Sequence, residues 1–239
     1  MSLSNKIVLV TGANRGIGAA VVRQLLKAGV SKVYAAARKP ASLPDFGDKR
    51  VVPLQLDVTD EVSVKAAAET AKDIDVLVNN AGTAAFSDWT TVTRDVIEAD
   101  MNTNFYGTLR VIRAFTPRFV SRGSGTIANV ISVVGLAAVP ALAGYSASKA
   151  ALQSLTQGLR GSLKKSGVTV VGIYPGPIDT ELAKDIPMEK ATPEHAAINI
   201  VRGLEQGEPN IFPDPMALQI EQLWAHNGRE LEAALQGEA

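Results

Sequence analysis

The sequence predicts an α/β fold: a doubly wound parallel sheet with helices on both faces, in a single domain. Three observations carry this. Short apolar runs alternate with longer stretches of helical periodicity, the order that builds βαβ units. Most of the runs are apolar throughout rather than at every second position, as strands buried on both faces require. The length of 239 residues fits one large α/β domain over 1–239, and no repeat or low-complexity linker divides it.

The first strand is read over Ile7–Val10. Val21, Val22, Leu25 and Leu26 then share one face of a helix that Ala28-Gly29 closes. The second strand is Lys32–Ala37 and the third Arg50–Leu56. Asp60 is placed to cap a helix reaching Ala71. Ile74–Asn79 is the fourth strand, followed by one long helix over about Thr93–Val120. Thr126–Ser132 and Val168–Tyr174 flank a helix over about Tyr145–Lys165. Thr192-Pro193-Glu194 opens another helix, a capping residue with proline in the first turn. A weaker strand, Asn210–Pro213, precedes a C-terminal helix near 214–235. Its Met216, Ile220, Leu223, Trp224 and Leu231 form one apolar stripe, read either as core or as a subunit contact. The segment near 180–192, bounded by Pro187, is expected to act as a substrate lid.

Composition narrows the function. Residues are 46% hydrophobic and 20% charged, enough for a core and without the signature of disorder. Lys plus Arg (24) balances Asp plus Glu (24), which argues against nucleic acid or an anionic membrane as partner. The absence of cysteine rules out disulfides, thiolate metal sites and a cysteine nucleophile. His195 and His226 are the only histidines and nothing pairs them, so no metal is expected. No Gly-x-Ser-x-Gly elbow points to hydrolysis. The N-terminus lacks a secretion pattern and no apolar run spans a bilayer, so a cytoplasmic location is expected.

The first strand runs into Thr11-Gly12-Ala13-Asn14-Arg15-Gly16-Ile17-Gly18. A strand, a glycine turn and a helix start form a seat for a pyrophosphate, because backbone N–H groups and the helix dipole both favour an anion. The spacing is G-x-x-x-G-x-G, without the Gly-Lys-Ser/Thr ending of a P-loop. The second strand ends in Ala37-Arg38-Lys39, with no acid to bind ribose hydroxyls. These cations, with Arg15, suit an adenosine 2′-phosphate and predict NADP(H); the plainer alternative is a solvated strand end. Tyr145 and Lys149 stand four apart on one helical face. An ammonium there lowers the pKa of a phenol and makes it a proton donor and acceptor.

Further motifs stand in order along the chain. Asn79-Asn80-Ala81-Gly82 follows the fourth strand, and Asn104 precedes Phe105-Tyr106-Gly107. Ser132 lies upstream of the Tyr145-x-x-x-Lys149 pair, and Pro175-Gly176-Pro177-Ile178-Asp179-Thr180 follows the sixth strand. From about Lys6 to Leu182 the chain resembles the short-chain dehydrogenase/reductase family in its single-domain branch. The resemblance implies a Rossmann-like sheet, a small-molecule carbonyl or alcohol substrate, and a homodimer or homotetramer. It implies that Ser132 polarises the carbonyl and Tyr145 protonates the developing alkoxide. It implies that Lys149 holds the nicotinamide ribose and lowers the Tyr145 pKa, while Asn104 shapes its helix and holds a relay water. Asp57 and Val58 would flank the adenine, Asn79 and Gly82 would line the ribose side, and Ala81 would also belong to the cofactor site. Ile178 and Thr180 would face the carboxamide, and Pro175 and Gly176 would also belong to the cofactor site. Ile131 stands where the family often has a serine, and the C-terminal helix departs from the family's short glycine-rich tail.

The expected pocket is apolar: Ala84, Ala85, Phe86, Val133, Val134, Leu136, Val139, Leu142, Ile178, Leu182, Ile186 and Met188. It predicts hydrophobic ketones or aldehydes. Two alternatives stay open, an NAD-linked alcohol dehydrogenase and a non-catalytic dinucleotide sensor.

Overall fold

The structure, a computed structural model, describes residues 2–236; the extreme ends of the domain expected over 1–239 lie outside the described residues. Seven strands form one sheet in the order β3-β2-β1-β4-β5-β6-β7, each pair parallel. They are β1 (Ile7–Thr11), β2 (Lys32–Ala37), β3 (Val51–Gln55), β4 (Val76–Asn79), β5 (Gly125–Val130), β6 (Val168–Ile173) and β7 (Asn210–Ile211). The helices are α1 (Gly16–Lys27), α2 (Glu61–Thr70), α3 (Arg94–Asp100), α4 (Thr108–Arg122), α5 (Ala143–Ser162), α6 (Pro193–Gln206), α7 (Pro215–His226) and α8 (Gly228–Gln236). The expected doubly wound sheet is what forms.

Strand residues alternate between two cores. Val8, Val10, Val33 and Val78 pack with Val21 and Leu25 of α1 and Ile200 and Leu204 of α6. Leu9, Leu77 and Ile127 pack on the other face with Val64 of α2, Phe115 and Phe119 of α4 and Leu163 after α5. Both faces of the central strands are therefore covered by apolar side chains, which accounts for the unbroken runs. Each fully buried Val, Leu, Ile or Phe contributes roughly 1.5–3 kcal/mol of transfer free energy. The order reverses between β1 and β4, so a crevice opens at their C-terminal ends.

Three expectations change. The long helix over Thr93–Val120 is interrupted by a π-helical segment, Met101–Gly107, centred on the buried Asn104. β5 stops at Val130 because Ser132 adopts φ 130°, ψ 155°, outside strand geometry. The single C-terminal helix is two, broken at Asn227, whose extended backbone (φ −157°, ψ 101°) ends α7. Asn227 Oδ1 then accepts from Arg229 N at 3.1 Å as α8 begins.

The C-terminal stripe is core within this chain. Ile220 and Leu231 are buried in a third cluster with Ile131, Leu152, Tyr174 and Phe212, and Met216, Leu223 and Trp224 pack on it. The Tyr174 and Phe212 rings stack at 4.9 Å. Ile131 thus fills core where the resemblance places a serine.

Candidate active site

The glycine turn joins β1 to α1. Gly12 takes φ 63°, and a Cβ on Gly18 would lie 2.3 Å from the Gly12 carbonyl oxygen, so only glycine permits this approach. The turn is laced to the segment after β4. Asn80 Nδ2 donates to the carbonyls of Thr11 (3.0 Å) and Gly12 (3.1 Å). Thr11 Oγ1 accepts from the amides of Asn80 (2.9 Å) and Ala81 (3.0 Å).

Asn79 does something else. Its Nδ2 donates to Asn129 Oδ1 at 2.8 Å, and Asn129 Nδ2 to Thr156 Oγ1 of α5 at 3.0 Å. Side chains alternate along a strand, so Asn80 meets the turn while Asn79 points across the sheet towards α5. The Asn79 side chain is thus spent inside the sheet.

Arg15 stands at the N-cap of α1 with no side-chain cap bond, which leaves the first-turn amides near Gly16 and Ile17 without a capping side chain. Arg15, Arg38 and Lys39 are exposed, with Asn14 half-buried beside them, and among the described residues the three cations form no salt bridge. Asp57 Oδ1 accepts from Thr59 N (2.9 Å) and Thr59 Oγ1 (2.7 Å), so it caps its own turn. Burial pushes its carboxyl up, but the Thr59 bonds and the charge of Arg38 outweigh that and hold it below the ordinary range. Val58 is buried against Gly107 of the π segment. A side-chain-free turn, an uncapped helix start and cations at the end of β2 are a set that could hold a dinucleotide bearing an extra phosphate.

The four residues expected to be catalytic converge at the open end of β5. Lys149 is 4% exposed, and its Nζ donates to Val130 O at 2.9 Å and lies 5.5 Å from the Tyr145 ring centre. Ser132 Oγ donates to Pro175 O at 3.2 Å and also hydrogen-bonds the Tyr145 side chain. The positive φ of Ser132 costs on the order of 1–3 kcal/mol. Its neighbours hold it there, with Ile131 N on Ile173 O (2.7 Å) and Val133 N on Pro175 O (3.1 Å). Asn104 is fully buried; its Oδ1 accepts from Thr83 N (2.9 Å), and its Nδ2 donates to Thr83 O (2.8 Å) and Ser148 Oγ (2.9 Å). Gly82 sits between Asn104 Oδ1 and Lys149 Nζ, 3.0 and 3.7 Å from where its Cβ would be.

The expected downward pull of Lys149 on the phenol is not what prevails. Tyr145 keeps part of its surface open, yet protein crowds its hydroxyl. Burial pushes Tyr145 up to about 12, against the Ser132 hydrogen bond and with the added charge of Asp100. Burial lowers Lys149 to about 8, opposed by Asp100. Asp100 itself, at the end of α3, is raised by burial to about 6.

The stretch 175–180 returns over the glycine turn. Gly176 N donates to Asp214 Oδ2 at 2.8 Å. Ile178 is buried and bridges to Ala191, Thr180 Oγ1 donates to Ile178 O at 3.2 Å, and the Thr180 methyl packs over Gly16. In the expected lid, a short 3₁₀ turn at Glu181–Ala183 is pinned by Lys190 Nζ on Ala183 O at 3.0 Å. Of the expected pocket lining, Val133, Val134 and Leu142 are buried in the third cluster, with Leu136 and Val139 packed on it. Phe86, Leu182 and Met188 are exposed, Ala84, Ala85 and Ile186 partly so.

Sequence reasoning missed Asn80, Asp100 and Asp214. Strand alternation could have chosen Asn80 over Asn79, and Asp214 before Pro215 reads as a helix cap, which it is, accepting from Ala217 N at 3.0 Å. Nothing in the sequence marks Asp100. Among the described residues no group of three His, Asp or Glu side chains gathers as a metal site, and no helix is long and apolar enough to cross a membrane.

Known proteins match this arrangement. A family model described as short chain dehydrogenase covers residues 6–191. An uncharacterised oxidoreductase of Staphylococcus saprophyticus is 36% identical over 220 residues, 86% of this chain and 94% of that protein. A crystal structure of a short chain dehydrogenase from Burkholderia cenocepacia, in complex with NADP, superposes with a TM-score of 0.92 at 38% identity, covering 98% of this chain and 99% of that one. A 3-oxoacyl-[acyl-carrier protein] reductase from Brucella melitensis gives a TM-score of 0.78 at 26% identity, over 86% of this chain and 87% of that one. The glycine turn, the Ser132–Tyr145–Lys149 cluster and these matches agree, and the chain belongs to the short chain dehydrogenase family.

Proposed function

We propose that the protein is an NADP(H)-dependent oxidoreductase that interconverts a ketone or aldehyde and its alcohol, with hydrophobic substrates preferred. The observation that carries this reading is the convergence of Ser132, Tyr145 and Lys149 at the end of β5, beside the glycine turn and its cations. Arg15 and Arg38 favour a 2′-phosphate over a bare ribose, and the Burkholderia relative was crystallised with NADP. The apolar side chains Phe86, Leu182 and Met188 at the surface suit an uncharged substrate body.

When bound, NADPH supplies the hydride. The chain's own residues handle position and protons. Ser132 Oγ, now on Pro175 O, turns its hydrogen bond to the substrate oxygen and polarises the carbonyl. Tyr145, hydrogen-bonded to Ser132, gives its proton to that oxygen as negative charge develops. Lys149 presents its ammonium to the face of Tyr145 and stabilises the phenolate left behind. Asn104 holds the Thr83 backbone and Ser148, fixing the wall behind Tyr145. The test is NADPH consumption against a panel of aryl and alkyl ketones, aldehydes and keto acids, with NADH in parallel. Turnover of the apolar carbonyls with NADPH supports the reading, and a preference for keto acids or NADH overturns it. Assembly as a dimer or tetramer is part of the proposal, and light scattering in solution tests it.

A further inference from the structure

We propose that Asp100 is a positioning residue of the active site: its buried carboxylate, set against the first turn of α5, supplies the field that keeps Tyr145 and Lys149 protonated. This rests on the reading of Tyr145 as the proton donor. Asp100 is 1% exposed and lies one helical turn before Asn104. The two residues reach the same two segments, the stretch after β4 and the first part of α5, at different positions. Asn104 binds the Thr83 backbone and reaches Ser148 of α5. Asp100 Oδ2 accepts from Ala85 N at 3.5 Å and lies 3.1 Å from where a Cβ on Gly144, next to Tyr145, would stand.

A carboxylate so buried, with one long hydrogen bond among the described residues, is a poor device for stability alone. Its position fits an electrostatic use. α5 begins at Ala143 without a side-chain cap, and a negative charge at that end complements the helix dipole. Among the described residues, Asp100 is the charged side chain acting on both Tyr145 and Lys149. Arg94, Asp95 and Glu98 of its own helix and Asp88 of the facing loop are exposed. Ser132, which bonds the Tyr145 phenol from just beyond β5, carries no charge. The negative charge raises the proton affinity of the phenol and of the ammonium together. Burial and this charge together hold the Tyr145 proton, and the charge opposes the loss of the Lys149 proton to burial.

The test is Asp100→Asn, which keeps shape and removes charge, with Asp100→Ala as a second variant. Two readouts are taken: the pH profile of kcat/KM for carbonyl reduction, and an ultraviolet difference titration of the Tyr145 phenol, each protein measured against its own Tyr145→Phe partner. The high-pH limb and the phenol midpoint should both move down by about half a pH unit or more. Lower activity with both midpoints unchanged overturns the proposal and leaves Asp100 a packing residue, as does failure of both variants to fold. If Tyr145→Phe alone turned over like the parent, the functional reading would fall, whereas unmoved midpoints sink only the role of Asp100.

Discussion

The ammonium of Lys149 donates to the carbonyl of Val130 at 2.9 Å, so α5 is tied by a buried charge to the last residue of β5, two positions before Ser132. This bond fixes the spacing of α5 and β5 beside the proposed proton donor. Lys149→Met should leave a folded protein with kcat reduced roughly 10²–10⁴-fold, the usual weight of a group that aids proton transfer. Steady-state kinetics beside a circular dichroism spectrum checks it. A variant within a few-fold of the parent would remove Lys149 from the mechanism.

Arg38→Asp should lower kcat/KM with NADPH by about 1–3 kcal/mol of transition-state binding and improve use of NADH. Among the described residues Arg38 makes no salt bridge, and within the chain its charge favours the Asp57 carboxylate. Parallel kinetics with the two nucleotides decides the point, and an unchanged ratio would show that the cations are only a solvated strand end.

The carboxylate of Asp214 takes the amides of Gly176 (2.8 Å) and Ala217 (3.0 Å), holding the loop after β6 to the start of α7. Asp214→Ala removes a helix cap and leaves the Gly176 amide unpaired. A loss of about 2–3 kcal/mol in unfolding free energy is expected, read from a denaturant titration. A loss below about 0.5 kcal/mol, the scale of a neutral surface change, would mean that water replaces these bonds.

Asp100 also makes a prediction about stability. Burial raises it from 3.8 to about 6, so the folded protein binds this proton more tightly than the unfolded chain. Its favourable contribution is complete below 3.8 and is lost as pH rises through about 6. Above that pH the buried charge is a burden, and Asp100→Asn should be more stable than the parent by about 1–3 kcal/mol. The advantage should shrink as pH falls towards 4, followed by thermal melting across that range. A variant less stable at neutral pH would contradict it.

What the sequence revealed and what it hid have physical causes. Runs such as Val8-Leu9-Val10 face two cores at once, so their hydrophobicity is continuous and legible. The glycine turn was legible because steric exclusion at Gly18 admits no other residue. The π segment at Asn104 was hidden, since it forms when that side chain turns inward onto Thr83 and Ser148, partners far off in sequence. The strained backbone at Ser132 likewise depends on Pro175, and Asp100 on Ala85 and Gly144. The break at Asn227-Gly228 could have been read, since both residues disfavour helix, but the apolar stripe continues across it. The acidification of Tyr145 expected from Lys149 is opposed by burial, of which spacing on a helix says nothing.

The central claim is that the hydroxyl of Tyr145 delivers the proton. Its most direct measurement is single-turnover reduction of an apolar ketone by Tyr145→Phe with NADPH already bound, nucleotide binding being confirmed by titration. The account predicts NADPH binding like the parent's and a rate lowered by roughly 10²–10⁴. A rate equal to the parent's, with the nucleotide in place, would contradict it.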